Sequence, residues 1–254
     1  MHLPGLLLSL ACAQAPAAAE SPKWNGAVGF NLVSITGNAT SVTMNFTGVA
    51  ELKTPEWIYG LKASGIYGVG RAPTPGADSQ VLALAGSLQA RVDRRFSDMI
   101  SAYLLGGVET DHVKSVEVRG IGEAGVSLIW INQKEGDLER MLLRTDLGFR
   151  YANESRFQYY PRGGSLPGAV LYAPKLGVAF RYAFSSEVRF IEEAEVLPGV
   201  TDGRVVVNNL TKLSARLVKA LSASLGFTVN YDSQPAPSKV PTDTALAVGL
   251  EYQL

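Results

Sequence analysis

Hydrophobic and polar residues alternate along most of the chain after Trp24. In residues 141–151 one set of alternate positions is almost wholly apolar, and the other set carries arginine and aspartate. The first set is Met141, Leu143, Thr145, Leu147, Phe149 and Tyr151; the second is Leu142, Arg144, Asp146, Gly148 and Arg150. Successive side chains of a strand point to opposite faces, so this period of two predicts strands with one apolar face. Residues 221–232 and 242–254 repeat the pattern.

Turn-forming residues divide the alternating region into about twelve segments. The predicted strands are 24–35, 39–53, 56–69, 79–94, 98–110, 115–131, 139–152, 168–182, 187–197, 203–217, 220–232 and 242–254. A tilted strand needs roughly 9–11 residues to cross a bilayer, whereas strands of soluble sandwiches are nearer 5–6 residues. We therefore predict an all-β fold, a transmembrane antiparallel up-and-down β-barrel of about twelve strands, with about ten to fourteen as the range.

The lengths of the connections predict the orientation of the barrel. Outer-membrane barrels have short periplasmic turns, longer extracellular loops and both termini in the periplasm. With the N-terminus in the periplasm, the longest and most Pro/Gly-rich connections, 71–78, 153–167 and 233–241, are predicted to be extracellular. The connections 54–55, 95–97, 132–138, 183–186 and 218–219 are predicted to be periplasmic turns.

Aromatic residues cluster at both ends of the predicted strands, on the apolar face. The candidates at the periplasmic ends are Trp24, Trp57, Tyr59, Trp130, Tyr182 and Tyr252, and those at the opposite ends are Tyr67, Tyr151, Tyr172 and Tyr231. Two aromatic girdles around an aliphatic band are typical of a surface that faces lipid.

Residues 1–19 have the pattern of a secretory signal peptide. An apolar core from Leu3 to Ala11 is followed by small residues, with Ala17–Ala19 as a cleavage site before Glu20. We therefore expect a signal peptide at 1–19 and an outer-membrane barrel domain at 20–254. The only cysteine, Cys12, lies inside this segment. It is either a small residue of the removed signal or, as a minority alternative, a lipidated cysteine.

Composition narrows the function classes. The 254 residues include 23 basic and 23 acidic ones, giving a formal net charge of zero. A nucleic-acid-binding protein needs a basic surface, so nucleic acid is not expected as a partner. Charged residues make up 18% and hydrophobic residues 46%, which argues against a disordered chain.

The polar face of the predicted strands carries charges of both signs. The lumen-lining candidates are Glu51, Lys62, Glu123, Arg144, Asp146, Arg150, Lys175, Glu193, Glu195, Lys212 and Arg216. Charges of this kind would be costly against lipid, so we expect them to face the lumen. They would either form an ion-pair network that fills the barrel or line a narrow hydrated pore. A strongly ion-selective channel would show one dominant sign, which this set does not.

Two of these carboxylates allow a sharper expectation. Counting outward from the turn near residue 200 places Glu193 opposite residue 208 and Glu195 opposite residue 206. Lys212 then lies within diagonal or water-mediated reach of Glu193, and Arg144 and Arg150 are alternative partners from across the lumen. We expect each of the two glutamates to have a basic side chain within hydrogen-bonding reach.

Motifs for catalysis and cofactor binding are weak. The segment Gly120–Gly125 matches G-x-G-x-x-G, but a dinucleotide site needs that motif between a strand and a helix, and here it lies inside a predicted strand. His112 lies near Asp111 and Ser115, yet neighbours in one short loop do not readily form a catalytic triad. No catalytic residue, cofactor or metal site is predicted, and a membrane hydrolase using His112 is a remote alternative.

Several short motifs, in order, resemble one family. They are Trp24-Asn25-Gly26, Gly29, Thr36-Gly37-Asn38, Glu195-Val196-Leu197, Tyr231-Asp232-Ser233, Thr242-Asp243-Thr244 and Gly249-Leu250-Glu251-Tyr252. Together they resemble the domain-of-unknown-function 481 family, whose members are described as salt-induced outer-membrane proteins. The resemblance implies a bacterial outer-membrane β-barrel and no established activity. The end Gly249-x-x-Tyr252-x-Leu254 is similar to the signal that barrel-assembly machinery reads, although that signal usually closes with Phe or Trp.

The expected function is that of a non-enzymatic protein of the bacterial outer membrane, with a structural or stress-related role in the envelope. Outer-membrane lipids and, during insertion, the barrel-assembly machinery are the expected partners. A narrow pore or transporter for small solutes is the alternative, and a barrel lipid hydrolase ranks below both.

Overall fold

The computed structural model describes residues 22–35, 40–71, 78–136, 138–159 and 163–254. Its strands are β1 Lys23–Ile35, β2 Thr40–Lys53, β3 Trp57–Arg71, β4 Ser79–Arg95, β5 Ile100–Asp111, β6 Val116–Glu135, β7 Leu138–Gln158, β8 Gly164–Ala183, β9 Val188–Pro198, β10 Val205–Val218, β11 Leu221–Asp232 and β12 Thr242–Gln253. All twelve predicted strands are present, and the all-β prediction is confirmed. Among the described residues, no helix is long and apolar enough to cross a membrane.

The strands form a closed barrel in simple up-and-down order. Each strand pairs antiparallel with the next along the chain, and β1 pairs with β12 to complete the ring. We call the end that carries connections 54–56, 96–99, 136–137, 184–187 and 219–220 the turn end. The end with connections 36–39, 72–78, 112–115, 159–163, 199–204 and 233–241 is the loop end. The first and last strands both have their chain-terminal ends at the turn end.

The hairpins around β7 are longer than predicted. The sequence placed an extracellular loop at 153–167, but β7 continues to Gln158 and β8 begins at Gly164. Pro167 is compatible with this strand because the ladder between β8 and β9 starts only at Leu176, leaving the preceding part of β8 at an edge. The predicted turn 132–138 likewise shrinks to 136–137, because β6 and β7 pair as far as Glu135 and Leu138.

The outer wall of the barrel is apolar, as a lipid-facing surface must be. Leu147 is paired with Val126 on one side and Leu176 on the other, and the three side chains are 43%, 41% and 45% exposed. Water would not stabilise such a continuous band of exposed aliphatic side chains, whereas hydrocarbon would. The barrel is therefore a transmembrane barrel.

The aromatic candidates lie on this outer wall towards its two ends. At the turn end, Trp57 stacks with Tyr59 at 6.3 Å between ring centroids, and the Trp130 indole donates to Thr145 Oγ1 at 2.9 Å. At the loop end, Tyr151 and Tyr172 are directly paired across β7 and β8, with ring centroids 5.1 Å apart. The exposed members of the two sets also include Trp24, Tyr59, Tyr67, Tyr231 and Tyr252.

The orientation of the barrel remains a prediction, which cysteine labelling tests. In a Cys12→Ser background, we expect a Thr201→Cys variant at the loop end to react with a membrane-impermeant maleimide on intact cells. An Asp98→Cys variant at the turn end, where the side chain is 96% exposed, should react only after the envelope is opened. The reverse pattern would place the turn end outside the cell. The predicted signal peptide 1–19, with Cys12, lies outside the described residues.

Candidate functional site in the barrel lumen

A tyrosine lying flat on the inner wall organises the centre of the lumen. Tyr103 of β5 is directly opposite Gly125 of β6, which is in turn opposite Gly148 of β7. A Cβ at Gly125 would meet the Tyr103 ring at 2.8 Å, and one at Gly148 would meet its hydroxyl at 2.6 Å. The ring can therefore occupy this position only because both neighbours are glycines. Gly125 closes the G-x-G-x-x-G match, so this glycine of the motif seats an aromatic ring inside a strand.

One group of buried ion pairs surrounds Glu123, whose side chain is 0% exposed. One carboxylate oxygen accepts hydrogen bonds from the Tyr103 hydroxyl and from Lys175 Nζ, each at 2.7 Å. The other accepts from Arg150 Nε at 2.6 Å. Arg150 and Lys175 also contact Glu195, at 2.8 Å and 3.1 Å. The result is a compact group of two carboxylates and two cations that links β6, β7, β8 and β9.

A second group is centred on Arg91 of β4. Its guanidinium donates to Asp93 at 2.7 Å and to Asp146 of β7 at 2.8 Å, and it lies over the Tyr103 ring at 3.8 Å from the centroid. Arg144 pairs with Asp146 at 3.1 Å. Because β4 and β7 are separated by two strands, the contact between Arg91 and Asp146 crosses part of the lumen. Tyr103 joins this group to the one around Glu123.

A third group lies at the loop end around Glu154, which is 3% exposed. Glu154 pairs with Arg119, Arg156 and Arg204, so three guanidinium groups surround one carboxylate. Arg204, in the connection 199–204, also pairs with Asp232 at 2.5 Å. Burial by itself lowers the pKa of Arg204. The Asp232 and Glu154 carboxylates raise it by a larger amount, so the pKa of Arg204 lies above its ordinary value.

The remaining predicted lumen residues lie nearer the turn end. Glu193 pairs with Lys62 at 3.4 Å and with Arg181 at 3.8 Å, and Glu51 pairs with Lys53 at 2.9 Å. Lys212 does not reach Glu193. It pairs instead with Glu251 of β12. The register of β9 and β10 also differs by two residues from the predicted one, with Glu195 opposite Asn208 and Glu193 opposite Leu210. Arg216 lies at a bulge near the turn end and is exposed.

The three ion-pair groups lie mostly on one side of the lumen. Strands β4 to β10, the connection 199–204 and Asp232 at the end of β11 carry them. The inner faces of β11, β12, β1, β2 and β3 are mostly small or neutral, with Ser222, Ser224, Gly226, Thr228, Asn230, Ala245, Ala247, Gly249, Gly29, Asn31, Asn45, Thr47 and Ser64. Sequence parity predicts which residues face inward, but this division into a charged side and a neutral side becomes visible only in the closed ring.

A cavity of about 450 Å³ occupies the part of the lumen nearer the loop end. Its charged side includes Arg119, Arg150 and Glu154, and its neutral side includes Asn45 and Thr47. Part of its wall is apolar: Ala152, Leu171 and Leu197 belong to a buried cluster against which Ile121 and Val206 pack. The connection 233–241 contributes Pro235 and Ala236 to the lining, so it partly covers the cavity.

His112 and Ser115 do not form a nucleophile and base. The His112 ring stacks on Tyr159 with centroids 3.8 Å apart. Ser115 is fully buried in a left-handed conformation, and its Oγ has no hydrogen-bond partner among the described residues. Asp111 Oδ1 accepts from the Lys114 backbone at 3.1 Å, which holds the connection 112–115 in its turn.

One charged residue on the outer wall was missed by the sequence analysis. Glu192 follows the inward-facing Ile191 and precedes the inward-facing Glu193, so it points to lipid. Its carboxylate accepts hydrogen bonds from the Asn209 side chain and, at 2.7 Å, from Thr211 Oγ1. Glu192 and Glu193 are adjacent in one strand, so one of them must face outward. This pattern in the sequence could have identified Glu192 as an outward-facing residue. Glu154, Arg156 and Tyr103 share the inward parity of predicted lumen residues and were also missed.

The sequence of the chain matches a known protein family. The sequence profile of the family described as "Protein of unknown function, DUF481" matches residues 28–254. A comparison with functionally characterised proteins finds no match.

Several solved structures are similar in overall shape. An outer-membrane channel from Pseudomonas putida F1 has 8% sequence identity and a TM-score of 0.49, covering 98% of this chain and 100% of that one. The NanC porin has 10% identity and a TM-score of 0.48, covering 91% and 100%. The KdgM porin has 11% identity and a TM-score of 0.43, covering 91% and 98%.

Proposed function

Because the chain belongs to the DUF481 family, whose description leaves the function open, we propose a role from the geometry of the lumen. We propose a non-enzymatic protein of the bacterial outer membrane with a structural or stress-related role in the envelope. In this role the ion-pair groups of the lumen hold the barrel in shape and restrict flow through it. The apolar outer wall and its aromatic girdles support the membrane setting.

The observation that carries this proposal is an ion pair across the whole lumen. Lys62 belongs to β3 and Glu193 to β9, and their side chains meet at 3.4 Å. In a ring of twelve strands these two strands face each other across the full diameter. Together with the pair between Arg91 and Asp146, this contact divides the lumen instead of lining an unobstructed channel.

A narrow pore for small neutral solutes is the second candidate, and a specific observation favours it. On the inner faces of β2 and β3, Val49 is 45% exposed, and the Lys62 side chain is 62% exposed. Water therefore has room beside the ion pairs along β2 and β3. A hydrated passage there would lack a dominant charge and would select by size more than by sign.

Neutralising two carboxylates separates the two functions. We expect the Glu193→Gln plus Glu195→Gln variant to lose thermal stability, by roughly 10 °C, because the buried cations Arg150 and Lys175 are left to share Glu123 and Lys62 loses Glu193. In planar bilayers, we expect the unaltered protein to show little or no steady conductance. A Glu56→Gln variant, changed at an exposed turn, is the stability control.

The contrary result would be equally clear. If the double variant unfolds at the same temperature as the unaltered protein but changes the size or ion preference of a measurable conductance, the charges act as a filter. The pore would then replace the structural role.

A further inference from the structure

The barrel closes through a seam that is much shorter than its other strand pairings. Strands β1 and β12 are in register only from Ala27 opposite Gln253 to Phe30 opposite Leu250. On their other sides, β1 pairs with β2 along its full length and β12 pairs with β11 from Thr242 to Tyr252. Within the described residues, Asn31–Ile35 and Thr242–Gly249 therefore face one another without a ladder. This stretch lies in the loop-end half of the wall.

The ladder stops at a contact between a side chain and a glycine. The Asn31 side chain leans against Gly249, where a Cβ would collide with its amide. Beyond this point the inner face of β12 carries Ala247, Ala245 and, at the start of the strand, Asp243, and Ala245 is exposed. Between Gly249 and Asp243, alanine is therefore the only residue type of β12 beside the gap on the lumen side.

Unpaired strand edges are costly inside a bilayer. Backbone N–H and C=O groups without partners lose several kcal/mol each in hydrocarbon, so these edges need water from the lumen or a polar ligand group. On the outer face beside the seam, Leu246 is 67% exposed, Val248 61% and Leu32 55%, more than Leu147 in the closed wall. The unpaired part of the seam therefore exposes polar backbone groups on its lumen side and aliphatic side chains on its lipid side.

The cavity lies behind this seam. Its lining includes Asn45 of β2 on one side of the seam and Asn230 and Asp243 of β11 and β12 on the other. Its apolar wall, formed by Ile121, Ala152, Leu171, Leu197 and Val206, lies on strands β6 to β10 across the lumen from the seam. Arg119 and Arg204 stand beside that wall. A volume of about 450 Å³ is within the range of small-molecule sites.

We propose that the seam between β1 and β12 is a lateral opening through which a single-chain amphiphile enters the lumen cavity from the bilayer. The hydrocarbon chain lies against the apolar wall around Leu171 and Leu197. The polar head group remains with the guanidinium groups of the loop-end ion pairs. This binding activity is independent of the structural role of the charge network.

Binding tests the cavity. The probe is a fluorescent single-chain fatty acid, 11-(dansylamino)undecanoic acid, added to the full chain in phospholipid nanodiscs. An Ala152→Phe variant fills the apolar wall and should weaken binding by about tenfold or more. The matched control is Ala223→Phe, which adds the same side chain on the lipid-facing side of β11. Equal affinity in Ala152→Phe and the unaltered protein, or no binding at all, would overturn the proposal.

Lipid contact tests the route. In a Cys12→Ser background, a bimane fluorophore is attached to Ala247→Cys beside the seam or to Ser87→Cys. Ser87 lies on the inner face of β4, which is paired on both sides, and its hydroxyl is 2.8 Å from that of Ser64. Phospholipids with a nitroxide on the acyl chain should quench the label at 247 strongly and the label at 87 weakly. Similar quenching at the two positions would show that the seam is closed and would refute lateral entry.

Discussion

A Glu123→Gln variant is expected to lose about 3–5 kcal/mol of unfolding free energy, one of the two largest effects of a single change in this protein. Glu123 is fully buried and accepts hydrogen bonds from Tyr103, Lys175 and Arg150. An amide keeps the shape of the side chain but removes its charge. Lys175 and Arg150 would then share the single carboxylate of Glu195, leaving one buried positive charge without compensation.

A second substitution should restore part of the loss. Adding Lys175→Met to Glu123→Gln removes the uncompensated cation and returns the group to one carboxylate and one guanidinium. The double variant should therefore be more stable than the sum of the two single changes predicts, with a coupling free energy of about 1–3 kcal/mol. Urea unfolding in lipid vesicles, monitored by tryptophan fluorescence, measures the unfolding free energies of the two single variants and the double variant.

The stability of Glu123→Gln also tests whether water is excluded from the ion pairs around Glu123. If Glu123→Gln costs less than about 1 kcal/mol, water solvates the group as it does surface ion pairs. The lumen would then be hydrated to its centre, and the proposed structural role of these charges would be wrong. An exposed control, Glu187→Gln in the turn 184–187, should change stability little in either case.

Side-chain alternation was enough to predict the strands and the two faces of the wall. The predicted inward positions of Arg150, Lys175 and Glu195 follow from the period of two alone, and the structure brings these three together. What alternation cannot give is the register between strands. The connection after Pro198 is wider than assumed, with the Gly199 N–H donating to the Arg204 carbonyl at 2.6 Å, and this moved Glu193 two positions along β10.

Contacts across the lumen could not be predicted from the sequence, for a different reason. The pair between Lys62 and Glu193 depends on the tilt and stagger of the whole ring, which no local pattern contains. Glu154 and Arg156 were overlooked because the proline and glycine residues that follow them suggested a loop. An edge position allows a strand to tolerate such residues, and whether a strand lies at an edge is a property of the assembled barrel.

The lipid face gives the other large expected effect. A Leu147→Arg variant should lose roughly 2–4 kcal/mol and insert poorly, because the new charge would stand among Val126 and Leu176 in the middle of the apolar band. The natural exception on this wall, Glu192, has Thr211 and Asn209 as hydrogen-bonding neighbours. No polar side chain is directly paired with Leu147, so the arginine would have to reach the head groups.

The control for this change is the same residue type on the opposite face. Val49 is 45% exposed, close to the 43% of Leu147, but it is directly opposite Lys62, whose side chain reaches into the lumen. A Val49→Arg variant should fold almost normally, because its side chain would enter an exposed part of the lumen, where Glu51 on the same face is available as a partner. The two variants are compared by their insertion into lipid vesicles. Insertion is measured as the difference in electrophoretic mobility between the folded, unheated barrel and the heated, unfolded one. Equal insertion of the two variants would mean that Leu147 is not exposed to lipid. The assignment of inner and outer faces would then be wrong, and so would the membrane setting, which rests on that assignment.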